Sequence, residues 1–295
     1  MTTKINFNGV ISENLSISFY DHGFLFGDSV YEVVATHKTR PCFLYPHLQR
    51  LQNSAEGISL SIPWSTQRFA EELQRTLLEA GNPESYIRII VTRGEGAVDI
   101  DPSSCAKPNV IVYVTAEKKY PAELYLSGVN LAVVSVKRNA RDALNPGIKT
   151  GNYLNNILAV VEANRLGAHD AVMLNGKGDL AESTTSNLFF AHNGTLFTPA
   201  LGCGILAGIT RSMVMQLAQE NGISVEEGSL PVEALTSADE VFITGTIKRI
   251  MPVTRIDNKL VGEGRPGPLT QKMMRLYADV LESELPYDPD FKFQF

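Results

Sequence analysis

Lys149 is the residue whose setting most invites chemistry. It lies in the stretch 145–156, Asn-Pro-Gly-Ile-Lys-Thr-Gly-Asn-Tyr-Leu-Asn-Asn, between Gly147 and Gly151 and just ahead of an apolar helical pattern. An ammonium enclosed in such a turn loses hydration, which lowers its pKa and frees the amine to attack a carbonyl and form a Schiff base. A solvated loop lysine is the competing reading, and the companions decide between the two. Tyr153 follows four residues later, within reach of whatever the amine holds. Glu182 enters the polar run 183–187 ahead of an apolar strand, where an enclosed carboxylate can hold a proton on a ring nitrogen. Residues 202–211, Gly-Cys-Gly-Ile-Leu-Ala-Gly-Ile-Thr-Arg, feed a helix N-terminus. Free backbone N–H groups and the helix dipole point there together and favour an anion. The glycine spacing misses Gly-x-Gly-x-x-Gly by one residue and no long strand-helix alternation surrounds it, which argues against a dinucleotide fold. The planar donors of Arg50 suit a phosphate, although a snorkelling surface arginine has the same local pattern.

These residues need elements to carry them. Residues 4–9 and 11–19 alternate about Asn8-Gly9 as a hairpin, and Val30 to His37 is a β-branched strand after the aromatic turn at 24–29. Residues 45–57 form a helix with Leu48, Leu51 and Ala55 on one face, and 65–81 a second with Phe69, Leu73, Leu77 and Ala80. Strands at 86–94 and 110–115 follow, with Tyr86 and Arg88 on one strand face. The stretch 117–128 loses periodicity and reads as a linker, which gives an N-terminal domain at 1–116 and a C-terminal domain at 129–295. In the latter, a strand precedes the Lys149 turn, and Leu154, Ile157, Leu158, Val161 and Leu166 mark a helix. Hairpins are expected at 175–178 and at Asn193-Gly194, a buried strand at 239–244 ends in Gly-Thr-Ile, and a helix closes the chain at 269–285. The tail after Pro286 is expected to be surface packing. Strands and helices mixed without strict alternation make the fold α+β.

Composition narrows the function classes. With 295 residues, 44% hydrophobic and 20% charged, the chain fits two folded domains of about 100 to 200 residues each. A net charge of -6 without any basic run argues against nucleic acid. Cys42, Cys105 and Cys203 are too few and too scattered for a disulfide framework or a Cys-based metal centre, so a reducing, cytoplasmic setting is expected. No apolar leader and no run of about 18 apolar residues is present, which predicts neither secretion nor a membrane span.

In order and spacing these features resemble the fold type IV pyridoxal-phosphate enzymes: branched-chain aminotransferases, D-amino-acid transaminases and aminodeoxychorismate lyases. Ile-Lys-Thr-Gly-Asn-Tyr-Leu-Asn-Asn, Ala-Glu-Ser-Thr-Thr-Ser-Asn-Leu-Phe and Gly-Ile-Thr-Arg carry the likeness, which covers most of the chain. It implies two domains, a smaller N-terminal one and a larger C-terminal one with a barrel-like β core, with pyridoxal 5'-phosphate between them. Lys149 would then form the Schiff base and shuttle the α-proton. Tyr153 would bond the cofactor's ring oxygen and Glu182 its pyridine nitrogen. Arg50, the amides and hydroxyl of Ile209-Thr210, and the Thr246 hydroxyl would hold the phosphate.

The substrate is less determined. Tyr86-x-Arg88 matches the branched-chain pattern for receiving amino-acid and 2-oxoglutarate carboxylates, with Ile247 also facing substrate. The stretch 26–32, which contains Tyr31, looks more like the D-amino-acid branch, whose tyrosine there lies near the carboxylate. The Arg-x-His pair of that branch is absent from 95–101. A transaminase of L-branched-chain amino acids with 2-oxoglutarate is therefore expected. The D-amino-acid transaminase, the lyase and a non-enzymatic binding protein with a pyridoxal-phosphate pocket remain as alternatives. Lys248-Arg249 departs from the small or acidic residues that usually follow Gly-Thr, and is expected to face solvent. The resemblance further implies a homodimer, with the 24–31 turn or the 95–101 loop reaching the partner's pocket.

Overall fold

The computed structural model describes residues 2–283. They divide into two compact units, residues 2–118 with 148–152 and Ser283, and residues 119–147 with 153–282. The tail after Pro286 lies outside the described residues, as does the end of the helix expected to reach residue 285.

In the first unit, β1 (Lys4–Phe7) and β2 (Val10–Ser12) form the expected hairpin, with Asn8 and Gly9 at φ 54° and 95°, the positive values a tight right-twisted turn requires. The short α1 (His22–Leu25) leads into β3 (Ser29–His37), which turns into β4 (Arg40–Pro41). Two helices, α2 (Leu44–Gly57) and α3 (Thr66–Ala80), precede β5 (Ser85–Thr92) and β6 (Asn109–Ala116). Ser65 caps α3 by accepting from the Arg68 N–H, and Gly81 closes it at φ 59°, where a β-carbon is disfavoured. The six strands make one antiparallel sheet in the order β2-β1-β6-β5-β3-β4.

Alternation gives this sheet two different faces. Val30, Val34, Ile87, Ile89, Val91, Val112 and Val114 join Leu48, Leu51, Phe69, Leu73 and Leu77 of α2 and α3 in one core. Each such side chain contributes roughly 1.5–3 kcal/mol by leaving water. Tyr31, Arg88 and Tyr86 fall on the opposite parity, because Tyr31 pairs with Ile90, Val33 with Arg88 and Ala35 with Tyr86. Segment 148–152 lies extended along β3: the Tyr31 N–H donates to the Lys149 carbonyl at 3.0 Å and the Gly151 N–H to the Ser29 carbonyl at 2.8 Å.

The second unit begins with α4 (Ala122–Ser127), inside the stretch read as a linker, where Leu124 and Tyr125 pack on the core. Its elements continue with β7 (Val129–Val133), α5 (Leu154–Arg165), β8 (Asp170–Val172), β9 (Asn187–His192) and β10 (Thr195–Pro199). Then come α6 (Ile209–Glu220), β11 (Val225–Gly228), β12 (Glu240–Gly245), β13 (Arg249–Ile256), β14 (Lys259–Leu260) and α7 (Pro268–Glu282). The strands form a mixed sheet in the order β11-β10-β9-β12-β13-β7-β8, with β14 beside β13.

One helix departs from the pattern that announced it. The stripe that marked α5 does not point inwards: Leu154 is 66% exposed, Ile157 50% and Leu158 51%, while Asn156, Ala159 and Ala163 are buried. Small residues let α5 lie close to Ala132, Ala171 and Met173, and the large apolar side chains are left outside.

Candidate active site

The first unit assembles Lys149, Tyr31 and Arg88. Lys149 is half-buried, its backbone N–H donating to Ser54 Oγ at 3.1 Å and its Nζ to the Tyr31 hydroxyl at 3.3 Å. The Tyr31 ring has Lys149 Nζ 4.4 Å and the Arg88 guanidinium 4.0 Å from its centroid, two cation–π contacts on a ring only 3% exposed. Tyr86 stands two residues along β5 from Arg88, on the same face, and packs edge-on against Tyr113.

Arg50 is not a snorkelling residue. Its Nε and a terminal nitrogen form a fork on Glu32 at 2.7 and 2.9 Å, and His47 Nδ1 bonds the same carboxylate at 2.7 Å. Glu32 and His47 are sealed from solvent, at 0% and 1% exposure. Burial by itself raises the Glu32 pKa, but the charge and hydrogen bonds of Arg50, followed by those of His47, bring it down to about 2. Burial holds the His47 imidazole below its ordinary range against the pull of Glu32.

In the second unit Glu182, 5% exposed, accepts from Arg138 Nε at 2.9 Å, the Leu206 N–H at 3.0 Å and Asn187 Nδ2 at 3.3 Å. Tyr153 sits at the N-terminal cap of α5. Ile209 and Thr210 open α6, whose cap residue, Gly208, offers no side chain to the first amides. A β-carbon at Gly208 would come 1.9 Å from Asn187 Oδ1, so a side chain there would have to displace Asn187 from its bonds to Glu182 and the Leu206 carbonyl. Thr246 and Ile247 lie in the turn between β12 and β13.

Lys248 corrects the expectation of a solvent-facing side chain. It forms an ion pair at 2.5 Å with Asp170, and the side chains are 14% and 6% exposed. Burial alone would raise the Asp170 pKa, but Lys248 and the Thr184 hydroxyl hold it below the ordinary range. Sequence reasoning missed Glu32, His47, Arg138, Asn187 and Asp170. The i, i+3 spacing of His47 and Arg50 on α2, with a carboxylate on the inward parity of β3, was a usable signal for the first two. Arg138 lies in an irregular segment and gave none.

One unit carries a sheltered lysine, the other a buried carboxylate and a helix start with no side-chain cap. The family model described as amino-transferase class IV matches residues 29–256, and the chain belongs to that family of pyridoxal-phosphate-dependent aminotransferases. A protein of Methanocaldococcus jannaschii is 37% identical over 279 residues, spanning 94% of this chain and 96% of its own. The branched-chain-amino-acid aminotransferase of Escherichia coli is 33% identical, with 96% of each chain covered. A crystal structure of the Escherichia coli branched-chain amino acid aminotransferase superposes with a TM-score of 0.92 at 30% identity over 98% of this chain and 97% of that one. The branched-chain amino acid aminotransferase of T.th., solved with pyridoxamine 5'-phosphate, gives 0.91 at 28% identity over 99% of this chain and 97% of that one.

The donor chemistry fits the family's cofactor. A primary amine suits an aldehyde, and the carboxylate of Glu182 suits a ring N–H. The Arg50 cation, the threonine hydroxyls and the free amides of α6 suit a phosphate. Among the described residues, no helix is long and apolar enough to cross a membrane, and Cys42, Cys105 and Cys203 form no disulfide.

Proposed function

We propose that the protein transfers the amino group of L-branched-chain amino acids to 2-oxoglutarate, with Lys149 as the covalent anchor of pyridoxal 5'-phosphate. When bound, that cofactor supplies an aldehyde for the amine and a ring that accepts the electron pair left as the α-proton departs. Lys149 Nζ is the base that takes the α-proton and returns it. The Tyr153 phenol donates to the ring oxygen, and Glu182, steadied by Arg138, accepts from the ring nitrogen. Arg50, held by Glu32, the Ile209 amide and the Thr210 and Thr246 hydroxyls hold the phosphate. Tyr31, Tyr86, Arg88 and Ile247 receive the substrate.

The observation that carries the reading is the contact of both Arg88 and Lys149 with the Tyr31 ring, which puts a cation able to bind a carboxylate and the reacting amine against one side chain. The branched-chain aminotransferases among the relatives support the side-chain preference. A spectrophotometric screen of L- and D-amino acids against 2-oxoglutarate tests it. L-leucine, L-isoleucine and L-valine are expected to turn over, whereas turnover of D-alanine without L-leucine would overturn the assignment. A cytoplasmic setting accords with the three thiols.

We further infer a homodimer, supported by the apolar stripe of Leu154, Ile157, Leu158 and Val161 on the outside of α5. Ile157→Asp is expected to raise the dimer dissociation constant roughly 10- to 100-fold, measured by light scattering across a dilution series. A monomeric wild type would dismiss the interface.

A further inference from the structure

The turn between β12 and β13 is anchored through Lys248 to segments outside its own hairpin. Besides pairing with Asp170 Oδ2, Lys248 Nζ donates to Thr185 Oγ1 at 3.0 Å. The Lys248 carbonyl accepts from the Tyr125 hydroxyl of α4 at 3.2 Å. The turn is thus tied at one residue to α4, to the start of β8 and to the polar run after Glu182.

The tie continues inwards. Asp170 Oδ1 accepts from the Thr184 hydroxyl at 2.5 Å and from the Thr184 N–H at 3.3 Å. The Thr184 carbonyl accepts from Asn156 Nδ2 at 2.6 Å, Asn156 Oδ1 accepts from Arg138 at 3.4 Å, and Arg138 pairs with Glu182. One polar chain therefore runs from the turn that bears Thr246 and Ile247 to the carboxylate assigned to the cofactor ring.

We propose that Lys248 is a positioning residue, which clamps the Thr246–Ile247 turn against Asp170, Thr185 and Tyr125 so that the turn meets phosphate and substrate in a fixed pose. This rests on the roles given to Thr246 and Ile247 under Proposed function. Hairpin turns are ordinarily the softest part of a sheet, since few contacts oppose their motion. A contact made by a residue that never touches substrate can still set the geometry of one that does, and small misplacements there are amplified in the reaction. A desolvated ion pair is otherwise a poor source of net stability, because its attraction is offset by lost hydration.

A merely structural ion pair and a positioning clamp separate in a double variant. Lys248→Met alone strands the Asp170 carboxylate and is expected to lower Tm. Lys248→Met with Asp170→Asn removes both charges, so Tm should return to within a few degrees of the wild type. In that double variant the KM values for L-leucine and 2-oxoglutarate should stay raised roughly tenfold, with a raised pyridoxal-phosphate dissociation constant by fluorescence titration and kcat within about threefold. Recovery of KM and cofactor affinity along with Tm would overturn the proposal. Should the double variant not fold, Tyr125→Phe decides, since it removes only the hydroxyl on the Lys248 carbonyl. A KM rise of about two- to fivefold at unchanged Tm supports the clamp, and an unchanged KM refutes it. If the wild type turns over none of the amino acids screened, the proposed function fails. The clamp is then judged on the cofactor dissociation constants alone.

Discussion

Replacing Lys149 by alanine is expected to lower kcat by about three to four orders of magnitude and to abolish the absorbance band that the wild type shows with pyridoxal phosphate. The fold should survive. The anchors of this segment are backbone groups: the Lys149 carbonyl accepts from Tyr31, its N–H donates to Ser54, and the Gly151 N–H donates to Ser29. What the substitution removes is the amine 3.3 Å from the Tyr31 hydroxyl. Absorbance spectra, single-turnover kinetics with L-leucine and a melting curve together check this. A variant that keeps its band and its turnover would move the covalent role elsewhere, whereas one that loses the band at an unchanged Tm isolates the chemistry.

The second large effect is on stability. Glu32→Gln is expected to destabilise the protein by about 3–5 kcal/mol, because it leaves the largely buried Arg50 guanidinium facing a neutral amide. The same pair predicts an acid dependence. The Glu32 pKa falls from the ordinary 4.5 to about 2 in the folded protein, so the folded state binds its proton more weakly than the unfolded chain does. The stabilisation is therefore complete above about pH 5 and is lost as pH falls towards 2, on the order of 3 kcal/mol in all. Urea unfolding at stepped pH should show this loss in the wild type, and the glutamine variant should lack that component. Parallel pH curves for the two proteins would remove Glu32 from the account. The variant should also bind pyridoxal phosphate more weakly, since Glu32 and His47 fix the direction of the Arg50 fork.

The order of elements could be read before any coordinates because local rules governed it. Period-two alternation marked the opening hairpin, a β-branched run marked β3, and Ser65 and Gly81 bounded α3, since a cap or a positive φ is decided within a few residues. The family motifs around Lys149, Glu182 and Gly208 were legible for a related reason: each packs several chemical groups into one short stretch. Partners distant in sequence were not legible. Glu32 meets Arg50 18 residues away, Arg138 meets Glu182 across 44, and Lys248 meets Asp170 across 78. Each arises only when sheet register and helix packing bring two side chains to one point.

The apolar stripe of α5 shows the same divide. Its period announced a helix, but which face turned inwards depended on whether the neighbouring strands left room for leucines or only for Ala159 and Ala163. Local sequence determined which elements form and which residues carry reactive groups, because those follow from backbone preference and spacing. Tertiary structure alone decided which charges are sealed together and which hydrophobes stay outside, because desolvation and close packing belong to the assembled interior and to no single segment.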